Sequence, residues 1–273
     1  KGEEMSYQII VLDLDGTLTN SQKVITPKTK AALMNIQKAG KTVVLASGRP
    51  TPGILHLADE LELQKFGGYI LSFNGAKIMN CKTKEIVYNK TLPSECIKKL
   101  YKNAKEIGIG ILSYTESEII LGNGRDQYSE LEARINGLPL KEVENFPKVI
   151  NFPVNKCLMT GEPEKIIEAQ EKLRKIFKDS LNIFRSEPFF LEIMPSDIDK
   201  AYSLKKLLEF LGYEKSQMIC CGDGFNDLSM IMYAGLGVAM ENAQPELKAE
   251  ADFITYSNDA DGIAHVIENF MCG

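Results

Sequence analysis

No apolar run in this 273-residue sequence approaches the roughly 18 residues that argue for a membrane span. A membrane helix is therefore not expected. A positive charge excess is also missing: the net charge is -5 and the isoelectric point about 5.3, which disfavours nucleic acid as a partner. None of the six cysteines is spaced Cys-x-x-Cys, and Cys220 and Cys221 adjoin within an apolar run. That usage argues against disulfides and a zinc cluster and fits a reducing, cytoplasmic setting. The opening Lys1-Gly2-Glu3-Glu4, with a first apolar run that ends in carboxylates, is unlike a secretory leader. Internal repeats and low-complexity segments are missing as well. Lysines do cluster at Lys98, Lys99, Lys102 and Lys105, but they fall between the apolar positions of a helical pattern and read as a solvated helix face.

What the chain does have is short apolar runs alternating with helical patterns, the texture of an α/β protein. Tyr7–Leu12 and Thr42–Ala46 read as buried strands. Between them Thr26 and Pro27 open a helix whose inner face is Ala32, Leu33 and Ile36, and Gly40 ends it. Tyr69–Phe73 and Ala76–Met79 suggest a hairpin around Asn74-Gly75, a dipeptide favoured by tight primed turns. The texture changes beyond this point and returns near Leu204, with strands at Met218–Cys221 and Gly237–Met240. The expectation is a Rossmann-like parallel-sheet core built from residues 1–83 and 190–273, with residues 84–189 inserted as a second, α+β domain.

Three apolar runs end alike. Ile9–Leu12 leads into Asp13-Leu14-Asp15-Gly16-Thr17, Val43–Ala46 into Ser47-Gly48-Arg49, and Met218–Cys221 into Gly222-Asp223-Gly224-Phe225-Asn226-Asp227. Parallel sheets bind ligands beyond the carboxyl ends of their strands, so the three ends are expected to face one crevice. Pooling them brings Asp13, Asp15, Asp223 and Asp227 together. Two carboxylates 4 Å apart repel by about 4 kcal/mol at an effective dielectric near 20, so such a cluster needs a cation or raised pKa values. Oxygen ligands without histidine or cysteine suit Mg2+. A carboxylate nucleophile splits phosphate-ester hydrolysis into two steps, and a second carboxylate two residues on can act first as acid and then as base.

These segments resemble the motifs of the haloacid dehalogenase superfamily of phosphatases. Asp13-Leu14-Asp15-Gly16-Thr17 is similar to the first motif, Ala46-Ser47-Gly48-Arg49 to the second, Lys200 to the third, and Gly222–Asp227 to the fourth. Asn74-Gly75-Ala76 and the long insert resemble the Cof-type subfamily with its large α/β cap. The resemblance implies that Asp13 is the nucleophile and Asp15 the acid/base. It implies that Ser47, Gly48, Lys200 and Asn226 bind the transferring phosphate, with Arg49 a further candidate. It also implies a Mg2+ held by Asp13, the Asp15 carbonyl and Asp223, with Asp227 supporting it directly or through water. One departure stands out: the third motif often continues Lys-Gly, and here Ala201 follows Lys200.

The resulting expectation is a soluble phosphatase, a monomer or small homo-oligomer, for a small phosphorylated metabolite, with sugar phosphates the class the resemblance favours. A phosphotransferase or mutase would use the same nucleophile. A phospho-accepting signalling module would share the clustered acids, hydroxyl and lysine, but is about half this length. His56 lies among leucines of a helical pattern and reads as a helix residue without a catalytic part.

Overall fold

The computed structural model describes residues 7–272; the opening Lys1–Glu4 segment lies outside them. From the amino end, Ile9–Leu12 forms β1, Pro27–Lys38 α1, Thr42–Ala46 β2 and Pro52–Glu60 α2. The Thr26 side chain accepts from the Thr29 N–H and Pro27 occupies the first turn, where its missing N–H costs nothing. Helix α2 turns Ile54, Leu57 and Ala58 inward and leaves His56 exposed. Strands β3 (Tyr69–Ser72), β4 (Lys77–Asn80) and β5 (Ile86–Asn89) follow.

The next stretch supplies α3 (Ser94–Ile107), β6 (Gly110–Tyr114), β7 (Ile119–Gly122), α4 (Gln127–Asn136), β8 (Leu140–Val143), β9 (Cys157–Thr160), α5 (Pro163–Phe177), β10 (Leu181–Glu187) and β11 (Phe190–Pro195). The last stretch adds α6 (Lys200–Leu211), β12 (Met218–Gly222), α7 (Leu228–Tyr233), β13 (Leu236–Ala239), β14 (Phe253–Ile254) and α8 (Gly262–Phe270).

These elements form two compact units. Among the described residues, one comprises 7–48, Ile54–Tyr88 and 199–272; the other comprises Arg49–Gly53 and Asn89–Ile198. Their divisions fall later than the expected 83/84 and 189/190, for reasons of strand pairing. Strand β5 edges the first sheet beside β4, and β11 pairs antiparallel with β9 and β10 in the second.

The first unit holds an eight-stranded sheet of order β14-β13-β12-β1-β2-β3-β4-β5. Strands β14 to β3 run parallel, and β4 turns back antiparallel to β3. All of Ile9–Leu12, Val43–Ala46 and Met218–Cys221 are shielded from water. Strands covered on both faces read as unbroken apolar runs, which is why these three were visible in the sequence. Each fully buried Ile, Leu or Val contributes about 1.5–3 kcal/mol, so the strand tips are firmly seated.

The second unit is a six-stranded, mostly antiparallel sheet of order β10-β11-β9-β6-β7-β8. Helices α3 and α5 share a core with it through Ile97, Leu100, Ile166 and Leu173 against Ile111, Met159 and Ile193. The four lysines of the α3 cluster are exposed, as their spacing required.

Candidate active site

Strands β12, β1 and β2 are adjacent, with Leu12 level with Cys221 on one side and Leu45 on the other. Paired strands lie about 4.8 Å apart, so the residues after Leu12, Ala46 and Gly222 emerge side by side. The ladders run on into the site: the Asp13 N–H donates to the Cys221 carbonyl at 3.1 Å, and the Ser47 N–H to the Leu71 carbonyl at 2.9 Å. Strand order reverses here, since β1 to β3 spread one way across the sheet and β12 to β14 the other. That is the switch point at which open α/β sheets bind ligands.

Lys200, the first residue of α6, lies beneath this point with 1% exposure. Its ammonium donates to Asp13 Oδ1 at 2.7 Å, to Asp227 Oδ1 at 2.5 Å and to the Ala46 carbonyl at 3.0 Å. All three of its protons are used. Burial disfavours the ammonium, but the two carboxylates outweigh that and hold Lys200 charged. Burial also pushes Asp13 well above the usual carboxylate range; Asp227 adds to the rise, and Lys200 opposes it.

Asp223 lies on the solvent side of this group. Its Oδ1 accepts from the Thr17 hydroxyl at 2.8 Å. Gly16, at φ +86°, brings its α-carbon so close that any side chain there would collide with the Asp223 carboxylate. Burial raises Asp223 to about 6, against the pull of the Thr17 hydrogen bond and with the help of Asp227. Asp15, half-exposed, pairs with Lys23 at 2.9 Å.

Asp227 is fully buried and its second oxygen is also committed, accepting from the Asp223 and Gly224 N–H groups at 3.0 Å each. Its side chain makes no cap hydrogen bond to α7. Asn226 Nδ2 donates to Asn74 Oδ1 at 3.4 Å. Arg49, itself part of the second unit, has its Nη1 donating to the Ile135 carbonyl at 3.1 Å. The structure thus brings Asp13, Asp223, Asp227 and Lys200 into direct or shared contact, with Ser47 at the adjoining strand tip.

One carboxylate oxygen from each of Asp13, Asp223 and Asp227 lies within 4.8 Å of the other two. The donors are all oxygen, and burial makes Asp13 and Asp223 reluctant to carry charge. A small hard dication satisfies that combination; zinc or copper would want nitrogen or sulfur. The residues fit a magnesium ion.

A family model for haloacid dehalogenase-like hydrolases matches residues 10–267. The chain belongs to that family. A Bacillus subtilis relative, "Putative phosphatase YxeH", is 34% identical over 97% of this chain and 98% of its own. Another from that organism, 5-amino-6-(5-phospho-D-ribitylamino)uracil phosphatase YcsE, is 28% identical over 98% of each. The crystal structure of a haloacid dehalogenase-like hydrolase from Bacteroides thetaiotaomicron superposes with a TM-score of 0.94 at 48% identity, covering 97% of this chain and 99% of that one. This haloacid dehalogenase-like chain is an enzyme, a hydrolase of the phosphatase kind. No helix among its described residues is long and apolar enough to cross a membrane.

Asn74-Gly75, expected as the turn of a hairpin, also reaches the second strand tip. The hairpin exists, but its loop spans four residues between Ser72 and Lys77. Phe73, Asn74 and Gly75 all take positive φ, at 53°, 51° and 103°. The Asn74 N–H donates to the Ser47 carbonyl at 3.0 Å, and its amide faces Gly48, where a Cβ would lie 3.1 Å from it. Gly75 rests against the start of α6: the Ser203 hydroxyl donates to its carbonyl at 2.5 Å. The turn therefore links the tip of β2 to the helix that carries Lys200. Asn-Gly was a visible signal of left-handed backbone, but a turn and a site residue use the same signal.

Proposed function

We propose that this chain is a magnesium-dependent phosphatase that hydrolyses a small phosphorylated metabolite of the sugar-phosphate class through an aspartyl-phosphate on Asp13. The observation that carries the reading is the buried Lys200 ammonium between Asp13 and Asp227, with Asp223 beside them. It leaves Asp13 one oxygen held by Lys200 and the other able to attack.

In the first step the free Asp13 oxygen bonds to phosphorus while the ester P–O bond breaks. The departing alkoxide keeps the bonding pair and takes the proton of Asp15, which is two residues on and open to solvent. In the second step water attacks phosphorus and gives its proton to the Asp15 carboxylate. The Asp13–phosphorus bond breaks, returning the Asp13 carboxylate and releasing inorganic phosphate. A magnesium ion held by Asp13, Asp223 and the Asp15 carbonyl supplies positive charge for the phosphoryl oxygens. Lys200 adds fixed charge from below, and Ser47, Asn226 and the Gly48 N–H are donors for the same oxygens. Both Asp227 oxygens accept from the protein, so its part is to hold Lys200 and the Asp223–Gly224 turn, and it would support the metal directly or through water. We assign substrate selection to the inserted unit, Asn89–Ile198.

The sugar-phosphate class is supported by the relative YcsE, whose named substrate carries its phosphate on a ribityl chain. The test is phosphate release from a panel of phosphorylated metabolites, with Mg2+ and with chelator. Inorganic phosphate that appears only with the metal supports the reading. Transfer to an acceptor sugar without free phosphate would replace it with a phosphotransferase, and a single self-labelling event would replace it with a signalling module.

A further inference from the structure

The proposed mechanism draws on the tips of β12, β1 and β2, yet the tips of β13 and β14 reach the same loop. Asn242 follows β13, and its Nδ2 donates to the Gly16 carbonyl at 2.8 Å. Asn258 follows β14; its N–H donates to Asn242 Oδ1 at 3.1 Å, and its own Nδ2 donates to the Thr19 carbonyl at 2.9 Å. Both ends of the Asn242 amide are thus specified, because a carbonyl needs a donor and an N–H needs an acceptor. The two amides form a chain of three hydrogen bonds along the outside of the loop that carries Asp15.

On its inside, the same loop is fastened by Leu18 N–H to the Asp13 carbonyl at 3.2 Å and Thr19 N–H to the Leu14 carbonyl at 2.9 Å. Those bonds fix Asp13 and Leu14. Asp15 also bridges to Thr19 across the same loop, and Asn242 takes hold at the neighbouring Gly16 carbonyl. Lys23 pairs with the Asp15 carboxylate, but both partners are solvated, and such a pair is a weak tether.

We propose that Asn242, braced by Asn258, is a positioning residue that sets the Asp15 carboxyl through the Gly16 carbonyl. The inference rests on the reading of Asp15 as the proton donor to the leaving group. General acids contribute about 10²–10⁴-fold and are sensitive to misplacement by about 1 Å. Loosening the corner should therefore hurt esters whose leaving group needs a proton, and should spare those whose leaving group does not.

The experiment compares kcat/KM, which reports the phosphoryl-transfer half-reaction, for phenyl phosphate and 2,4-dinitrophenyl phosphate. The proteins are wild type, Asn242→Ala, the isosteric Asn242→Asp, Asn258→Ala and Asp15→Asn. Phenol has a pKa of about 10 and leaves poorly unprotonated; dinitrophenolate leaves without help. Both Asn242 variants are expected to lose about tenfold or more on phenyl phosphate and less than about threefold on the dinitrophenyl ester. Asn258→Ala should shift the ratio the same way by less. Equal losses on both esters, or no loss, in whichever Asn242 variant melts like wild type would overturn the clamp. Failure of the underlying reading looks different: Asp15→Asn would then lose equally on the two esters, or wild type would cleave neither.

Discussion

Replacing Lys200 with methionine keeps most of the side-chain volume and deletes the ammonium that Asp13 and Asp227 share. In wild type that charge sits 2.7 and 2.5 Å from the two carboxylates with 1% exposure. Removing one member of a buried ionic group leaves its partners uncompensated, at a cost of about 3–5 kcal/mol. For a domain of this size each kcal/mol lowers the melting temperature by about 2–4 °C, so Lys200→Met is expected to melt roughly 6–20 °C below wild type at pH 8. The loss should depend on pH. Without Lys200 the folded Asp13, which burial already raises, binds its proton more tightly than the unfolded chain does. Stability then falls as pH rises above the unfolded carboxylate pKa, and the deficit is complete above the raised folded value. The deficit at pH 5 should therefore be smaller than at pH 8. Adding Asp227→Asn removes one stranded charge and should recover part of it, a coupling that a double-mutant cycle measures. Circular dichroism melts at the two pH values provide the assay. If Lys200→Met melts with wild type at pH 8, or if Asp227→Asn makes it worse, the electrostatic account of this cluster is wrong.

Three further outcomes follow from the same geometry. Mg2+ should raise the melting temperature more at pH 7.5 than at pH 5, because Asp223, raised to about 6, prefers its proton in the metal-free fold at the lower pH. Without metal, that same shift makes the folded state bind the extra proton, so stability falls as pH rises through about 4 to 6; Asp223→Asn should abolish most of the magnesium response. Gly16→Ala combines a left-handed φ, costing about 1–2 kcal/mol, with a collision against Asp223, and should lower both stability and magnesium affinity in a titration. Asn74→Gly keeps the left-handed backbone and deletes the amide, so it should lose activity while melting near wild type; Asn74→Ala should lose both, and full activity in Asn74→Gly would reduce Asn74 to a turn residue.

The parts of this molecule that sequence made legible share a physical cause. Asp13, Ser47 and Asp223 each follow a strand buried on both faces, and an unbroken apolar run ending in polar residues is conspicuous. Sequence spacing could not show that β12, β1 and β2 are neighbours, since 206 residues separate Thr17 from its hydrogen-bond partner Asp223. Lys200 was found through resemblance alone, because one lysine among many carries no mark of its burial. Asn242 and Asn258 were not singled out, and Asn74 was read as a turn, because asparagine at a turn looks the same whether it serves the turn or reaches across the fold. Helix α4 was also missed. Its start is marked by Asp126 and Ser129, which cap one another reciprocally, a box built with serine at the third position where glutamate or glutamine is the familiar signal. In the second unit, the buried Lys156–Glu192 pair at 3.0 Å joins β11 to the residue just before β9, and neither polar member gave warning of being covered.

In the proposed reaction phosphorus is bonded, for part of each turnover, to a carboxylate oxygen of Asp13. This can be tested directly by mixing the protein with Mg2+ and a hydrolysable ester, quenching in acid within a turnover, reducing with borohydride and sequencing the peptide by mass spectrometry. A phosphorylated aspartate is reduced to homoserine, and the account expects that change at residue 13, in amounts that track enzyme and disappear in Asp13→Asn. Homoserine at another aspartate, or phosphate release at full rate with residue 13 never modified, would contradict it.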